Sequence, residues 1–273
     1  MFVIEGICAA VVVHQIWLRS RSAPLRGVLA TYFALFAAAW AGEETCIRAY
    51  GFYQYSPGYS VWLDVVPLLI PLIWPAVILS AHDLATRLAS TPSRVPWLTA
   101  ALVLADASFI EPIAVQAGLW SWNAPGLLGV PPIGVLGWAY FAGIAALALH
   151  PPRISPGWLL GAIVGAHALL ALTWWGALRW VSAEIPWQAA VAVAAPAGLV
   201  LAVLAWRSPT ARAVPAALLW SRVPASLVFV ALLVAYGRES PALLAWAACF
   251  VPPWLSLWAA TTFRPTLRPA PAR

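Results

Sequence analysis

Two acids set deep in an apolar stretch, Asp106 and Glu111, are the residues of this chain best placed to do chemistry. They lie in the segment 104–138, LADASFIEPIAVQAGLWSWNAPGLLGVPPIGVLGW. Ionisable side chains at membrane depth are costly, and by default they mark a functional site. A carboxyl group kept from water holds its proton more tightly, so it can act as an acid at neutral pH and protonate an alkene. A second carboxylate could then orient or deprotonate an attacking water. Five residues span about 140° around a regular helix, so the two acids would point apart. Pro112 is the feature that could bring them together, because it removes one backbone bond and crowds the preceding turn.

A third candidate acid, Glu44, follows Glu43 and precedes Arg48 and the aromatic loop YGFYQYSPGY. Glu43 and Glu44 read equally well as an ion pair with Arg48 at the membrane surface. Asp64 and Asp83 fall at the ends of apolar runs and read as interfacial. Aromatic residues form the second theme. Tyr53, Tyr55, Trp74, Trp120, Trp122 and Trp138 are the candidates to line a substrate cleft, where their rings could also stabilise a cation. The plainer reading is an aromatic belt at the membrane interface, which accounts for Trp and Tyr near helix ends. The four histidines stand apart with no paired spacing, and the three cysteines lie singly in apolar runs, so no metal site is expected. The absence of a phosphate-binding glycine loop, a DDxxD acidic pair and a GxSxG elbow counts against an ATP-driven pump, a prenyltransferase and a serine hydrolase.

The frame that must position these groups is a membrane bundle. Of 273 residues, 63% are hydrophobic and 9% charged, and mean hydropathy is +0.85. A soluble domain is nearer half apolar and a quarter charged. Runs long enough to cross about 30 Å of hydrocarbon fall near 2–18, 27–47, 64–82, 96–118, 133–150, 157–181, 187–206, 213–236 and 241–262. The expected fold is all-α, a polytopic integral membrane helix bundle of eight to nine crossings, forming one domain over 1–262. The tail 263–273, rich in proline and arginine, reads as disordered. The first run carries Glu5 and has neither a basic leader nor a small-residue cleavage site, so it reads as a retained helix. Pro71, Pro75 and Pro112 lie inside runs and are expected to kink them.

Every basic residue apart from the histidines is an arginine, and the net charge is +6. The arginines sit in short links and form no stripe, which argues for anionic lipid rather than nucleic acid as their counterpart. Alternate links hold eleven arginines on one side (19, 21, 26, 87, 94, 153, 207, 212, 264, 268, 273) and three on the other (48, 179, 238). That asymmetry predicts an outside N-terminus and a cytoplasmic C-terminus in a plasma membrane of bacterial type.

Five pieces in order carry a resemblance: Glu44 ahead of YGFYQY (50–55), VPLLIPLIW (66–74), Asp106 with Glu111-Pro112, GLWSW (118–122) and GVPPIGVLGW (129–138). Over residues 43–140 the chain resembles the membrane-embedded carotenoid biosynthesis family that includes bisanhydrobacterioruberin hydratase and γ-carotene and lycopene hydratases. It departs from that family in carrying Gly134 where an asparagine is usual. The resemblance implies addition of water to the terminal double bond of an acyclic carotenoid end group. It implies no cofactor, an apolar substrate held in the bilayer with water as co-substrate, and other enzymes of the pathway as partners. Asp106 and Glu111 would be the acid and base, with Glu44 third. Two alternatives stay open at this point: an end-group cyclase that starts with the same protonation, and a non-catalytic binder or transporter of an apolar compound.

Overall fold

The computed structural model describes residues 1–149 and 156–263. His150, Arg153 and the tail from 264 onward lie outside the described residues. Seven helices open the chain: α1 Phe2–Ser20, α2 Leu25–Arg48, α3 Leu69–Leu88, α4 Val95–Gln116, α5 Pro132–Ala148, α6 Pro156–Gly176 and α7 Trp187–Arg207. Shorter pieces follow: α8 Pro209–Arg212, α9 Ala216–Trp220, α10 Val223–Leu232, α11 Pro241–Ala248 and α12 Val251–Phe263. Among the described residues eight segments are long and apolar enough to span a bilayer, and α5 is a ninth, shorter apolar helix. The all-α polytopic architecture expected from the sequence is the one observed.

Two details differ from the sequence reading. The run expected at 213–236 is broken at Ser221-Arg222 and passes into a π-helical turn, Leu233–Gly237; the run at 241–262 is broken between α11 and α12, just before Pro252-Pro253. Of the three prolines expected to kink helices, Pro71 instead occupies the first turn of α3, where a missing N–H is harmless. Pro75 and Pro112 do lie inside α3 and α4.

One buried cluster runs through α2, α3, α4 and α5, with α2 packed on α3, α3 on α4 and α4 on α5. Ala34, Ala38, Ala39, Ala76, Ala81, Ala142 and Ala145 are all buried there, beside Leu35, Ile78 and Val103. Lipid tails are as apolar as leucine, so close backbone approach through small residues supplies the cohesion between helices. On α2 the buried positions Val28, Tyr32, Leu35 and Ala39 repeat at helical spacing, and the next step along that stripe is Glu43. The C-terminal helices instead turn Val193, Leu199, Val200 and Leu204 outward, as a lipid-facing surface requires.

Two short ribbons cap one end of this bundle. β1 (Tyr53–Tyr55) follows α2 and β4 (Trp120–Trp122) follows α4, and the two pair antiparallel with Tyr53 opposite Trp122 and Tyr55 opposite Trp120. Each helix turns into its strand through a glycine of positive φ, Gly51 at 64° and Gly118 at 69°. Such a backbone conformation suits a residue without Cβ at the end of a helix. β2 (Trp62–Leu63) and β3 (Val66–Pro67) form a second hairpin.

Candidate active site

The β1–β4 ribbon sorts its side chains by the two-residue period of a strand. Gln54 and Ser121 face outward on one side, while Tyr53, Tyr55, Trp120 and Trp122 share the other face and pack against the helices. Tyr53 and Trp122 lie with ring centroids 4.7 Å apart, and Tyr55 and Trp120 at 6.0 Å. The ribbon thus lowers two phenols and two indoles onto the ends of α2 and α4.

Their polar tips converge on two acids. Glu43 of α2 accepts hydrogen bonds at Oε2 from the hydroxyls of Tyr53 and Tyr55, the latter at 2.6 Å, and at Oε1 from Trp74 Nε1 at 2.8 Å. Glu111 of α4, only 2% exposed, accepts from Trp120 Nε1 at 2.8 Å and Trp122 Nε1 at 3.0 Å, both at Oε2. Trp138 also interacts with the Glu111 carboxyl group, and its ring packs against Trp74 with centroids 4.6 Å apart. Burial, reinforced by the neighbouring Glu43, holds the phenols of Tyr53 and Tyr55 well above the usual tyrosine range, so both are donors at neutral pH. Among the described residues no arginine pairs with either acid.

Both acids line one cavity that is open at its mouth. Its wall is largely hydrocarbon, drawn from Ile70, Ile73 and Val77 of α3, Ile133 of α5, and Phe141 beyond them. Ile4, Ile7, Cys8 and Val11 of α1 and Ala225, Val228 and Phe229 of α10, two helices in contact with each other, complete the wall. All six aromatic residues expected to line a cleft, Tyr53, Tyr55, Trp74, Trp120, Trp122 and Trp138, are on the wall of this cavity. The chamber therefore presents a mostly apolar wall into which two carboxyl groups and several aromatic rings are set.

The structure separates the two acids that the sequence reading paired. α4 continues as a helix through Pro112, so Asp106 and Glu111 keep the divergence of a regular helix. Asp106 turns to Arg222, which also donates to Ser80 Oγ at 2.9 Å and lies 5.0 Å from the Trp254 ring centroid. Asp106 is not among the residues lining the cavity. Glu44 likewise turns away from the cavity, to Arg48, which also pairs with the exposed Asp64. The hydrogen bond from Arg48 holds the Asp64 carboxyl below its ordinary range. The cavity acid of α2 is Glu43, one residue earlier. Tyr59 also lines the cavity, and His167 and the α1 and α10 residues are further cavity neighbours that sequence reasoning did not assign to it. The alternation in Tyr-Gln-Tyr and Trp-Ser-Trp is the signal that could have revealed the ribbon.

A family model described as carotenoid biosynthesis protein matches residues 1–221, which is more than half of the chain and includes both cavity acids and the ribbon. No curated protein and no solved structure matches the chain.

Proposed function

The chain belongs to the carotenoid biosynthesis protein family, and from that premise we propose that it hydrates the terminal double bond of an acyclic carotenoid end group by acid catalysis. The observation that carries this reading is the convergence of the ribbon's phenols and indoles on Glu43 and Glu111 inside an apolar chamber.

Glu111 is the proton donor. Its Oε2 already accepts two N–H groups, so the neutral acid carries its proton on Oε1. The alkene π pair takes that proton, a C–H bond forms, and a tertiary carbocation is left beside ionised Glu111. Ring faces of Trp120, Trp122, Trp138 and Tyr55 offer the cation a negative quadrupole. Glu43 meets three donors, an environment that suits an anion, and it receives the proton released when water attacks the cation. Return of that proton to Glu111 closes the cycle; alkene and water have become a tertiary alcohol. Both acids lie five residues before their helix ends, roughly 7.5 Å along the axis, close enough to the capping loops for water to reach them. The arginine asymmetry of the sequence puts this capped end on the outer face of the membrane. Asp106 and Glu44, each closed by an arginine, act in this scheme as structural ion pairs. Water is the co-substrate, and the enzymes that supply and remove the carotenoid are the expected neighbours.

The hydrocarbon lining favours one competing outcome, capture of the cation by a neighbouring double bond to give a ring. Expression in cells that accumulate lycopene or γ-carotene, followed by chromatography with mass spectrometry, separates the two. A more polar pigment heavier by one water is expected. A new pigment of unchanged mass with a shortened chromophore would replace hydration by cyclisation, and no new pigment from either substrate would overturn the assignment.

A further inference from the structure

Trp122 reaches Glu111 across a position that has no side chain. Gly134 lies in the first turn of α5, buried and in helical conformation. The backbone there does not call for glycine, and alanine would favour the helix. The reason for glycine lies in its neighbour. A Cβ at residue 134 would stand 2.7 Å from Trp122 Cζ2, 2.9 Å from Cη2 and 3.2 Å from Cε2. Cβ atoms essentially never come within 3.0 Å of a non-bonded heavy atom, so the ring would have to move. Cε2 is bonded directly to Nε1, the atom that donates to Glu111 Oε2 at 3.0 Å. The same indole is packed against Tyr53 and carried on a strand whose register is fixed by β1.

We propose that Gly134 is a positioning residue: by leaving room for the Trp122 indole it secures the second N–H on Glu111 Oε2 and so fixes Oε1 as the oxygen that carries the proton. The inference rests on the reading of Glu111 as proton donor. With both indoles in place, Oε2 faces two N–H groups and cannot also hold a proton without opposing them. With Trp122 displaced, Oε2 keeps only the Trp120 N–H. The fraction of Glu111 molecules with the proton on Oε1 then falls, although the acid itself is untouched.

A double-substitution cycle with two readouts tests this. The first readout needs no substrate: the carboxyl-group vibration of Glu111 in infrared difference spectra of the purified full chain, assigned by its disappearance in Glu111→Gln. The second is pigment conversion at equal amounts of folded protein. Gly134→Ala and Trp122→Phe should shift the Glu111 band in the same direction. Each should lower conversion by about tenfold, the loss of one hydrogen bond to a charged or reacting group. Phenylalanine lacks both the N–H and the outer indole carbons that crowd residue 134, so Gly134→Ala should add nothing further to Trp122→Phe. An unshifted band in Gly134→Ala, or penalties that multiply in the double variant, would overturn the positioning role. A shifted band in a protein that forms no hydrated pigment would uphold that role and sink the hydratase reading instead.

Discussion

Asp106 and Glu111 stand five positions apart on α4, yet the two carboxyl groups keep opposite company. Asp106 is closed by the guanidinium of Arg222, which is held in turn by Ser80 and lies near the Trp254 ring. Glu111 meets only the neutral N–H groups of indoles, and it opens onto the cavity. A buried acid paired with a cation is neutralised by it and tied to the packing of α3, α4 and the C-terminal helices. A buried acid held by neutral donors keeps the option of carrying a proton, and it can be spent on chemistry. A place deep within an apolar helix is common to both, so it does not mark the site; the identity of the partner does.

The comparison breaks most sharply at Glu111. Glu111→Gln keeps the acceptor oxygen but has no acidic proton, and pigment conversion at equal protein should fall by on the order of 10²–10⁴-fold, the usual weight of general acid catalysis. A full-activity Glu111→Gln protein would remove the distinction altogether. Asp106→Asn should act on stability instead. It strands the Arg222 charge, and breaking a buried pair from one side costs about 3–5 kcal/mol. Thermal unfolding in detergent would read the loss, and adding Arg222→Met should recover most of it, because a neutral packed replacement for both partners is often tolerated. Between these extremes lie Tyr53→Phe and Tyr55→Phe. Each removes one donor from Glu43, and each should lower conversion about tenfold with a small change in unfolding temperature. The smallest effect is expected at Glu44→Gln, whose partner Arg48 is exposed. A surface ion pair of that kind contributes less than about 1 kcal/mol, and conversion should stay within twofold or so of the parent chain. A large activity loss there would show that Glu44, not Glu43, is the acid of α2.

The spans were legible in the sequence because they need only length and hydropathy. The aromatic cleft residues were legible because Trp and Tyr stand out in a chain otherwise made of alanine, leucine and valine. The acids were harder. Glu43 and Glu44 are adjacent and about 100° apart on the helix, and α2 is apolar all round, so no stripe in the sequence says which one faces inward. The stripe through Val28, Tyr32, Leu35 and Ala39 becomes visible only once burial is known. Asp106 was drawn to Glu111 by proximity along the chain and by Pro112, whereas the regular helix angle had already pointed them apart. The partner of Asp106 comes from 116 residues further on, a separation no local pattern can report. The ribbon left only a faint trace, the three-residue alternations Tyr-Gln-Tyr and Trp-Ser-Trp, too short on their own to separate a strand from a loop.

That ribbon also sets the order in which the protein can come into being. Its strands leave the ribosome separated by two whole membrane crossings, α3 and α4, because Tyr53 pairs with Trp122. Glu43 is therefore inserted long before Trp120 and Trp122 exist to complete the ensemble around it. A nascent chain halted at the end of α4 would already hold both acids and would still have no site, and closure of this small cap is a late, long-range event.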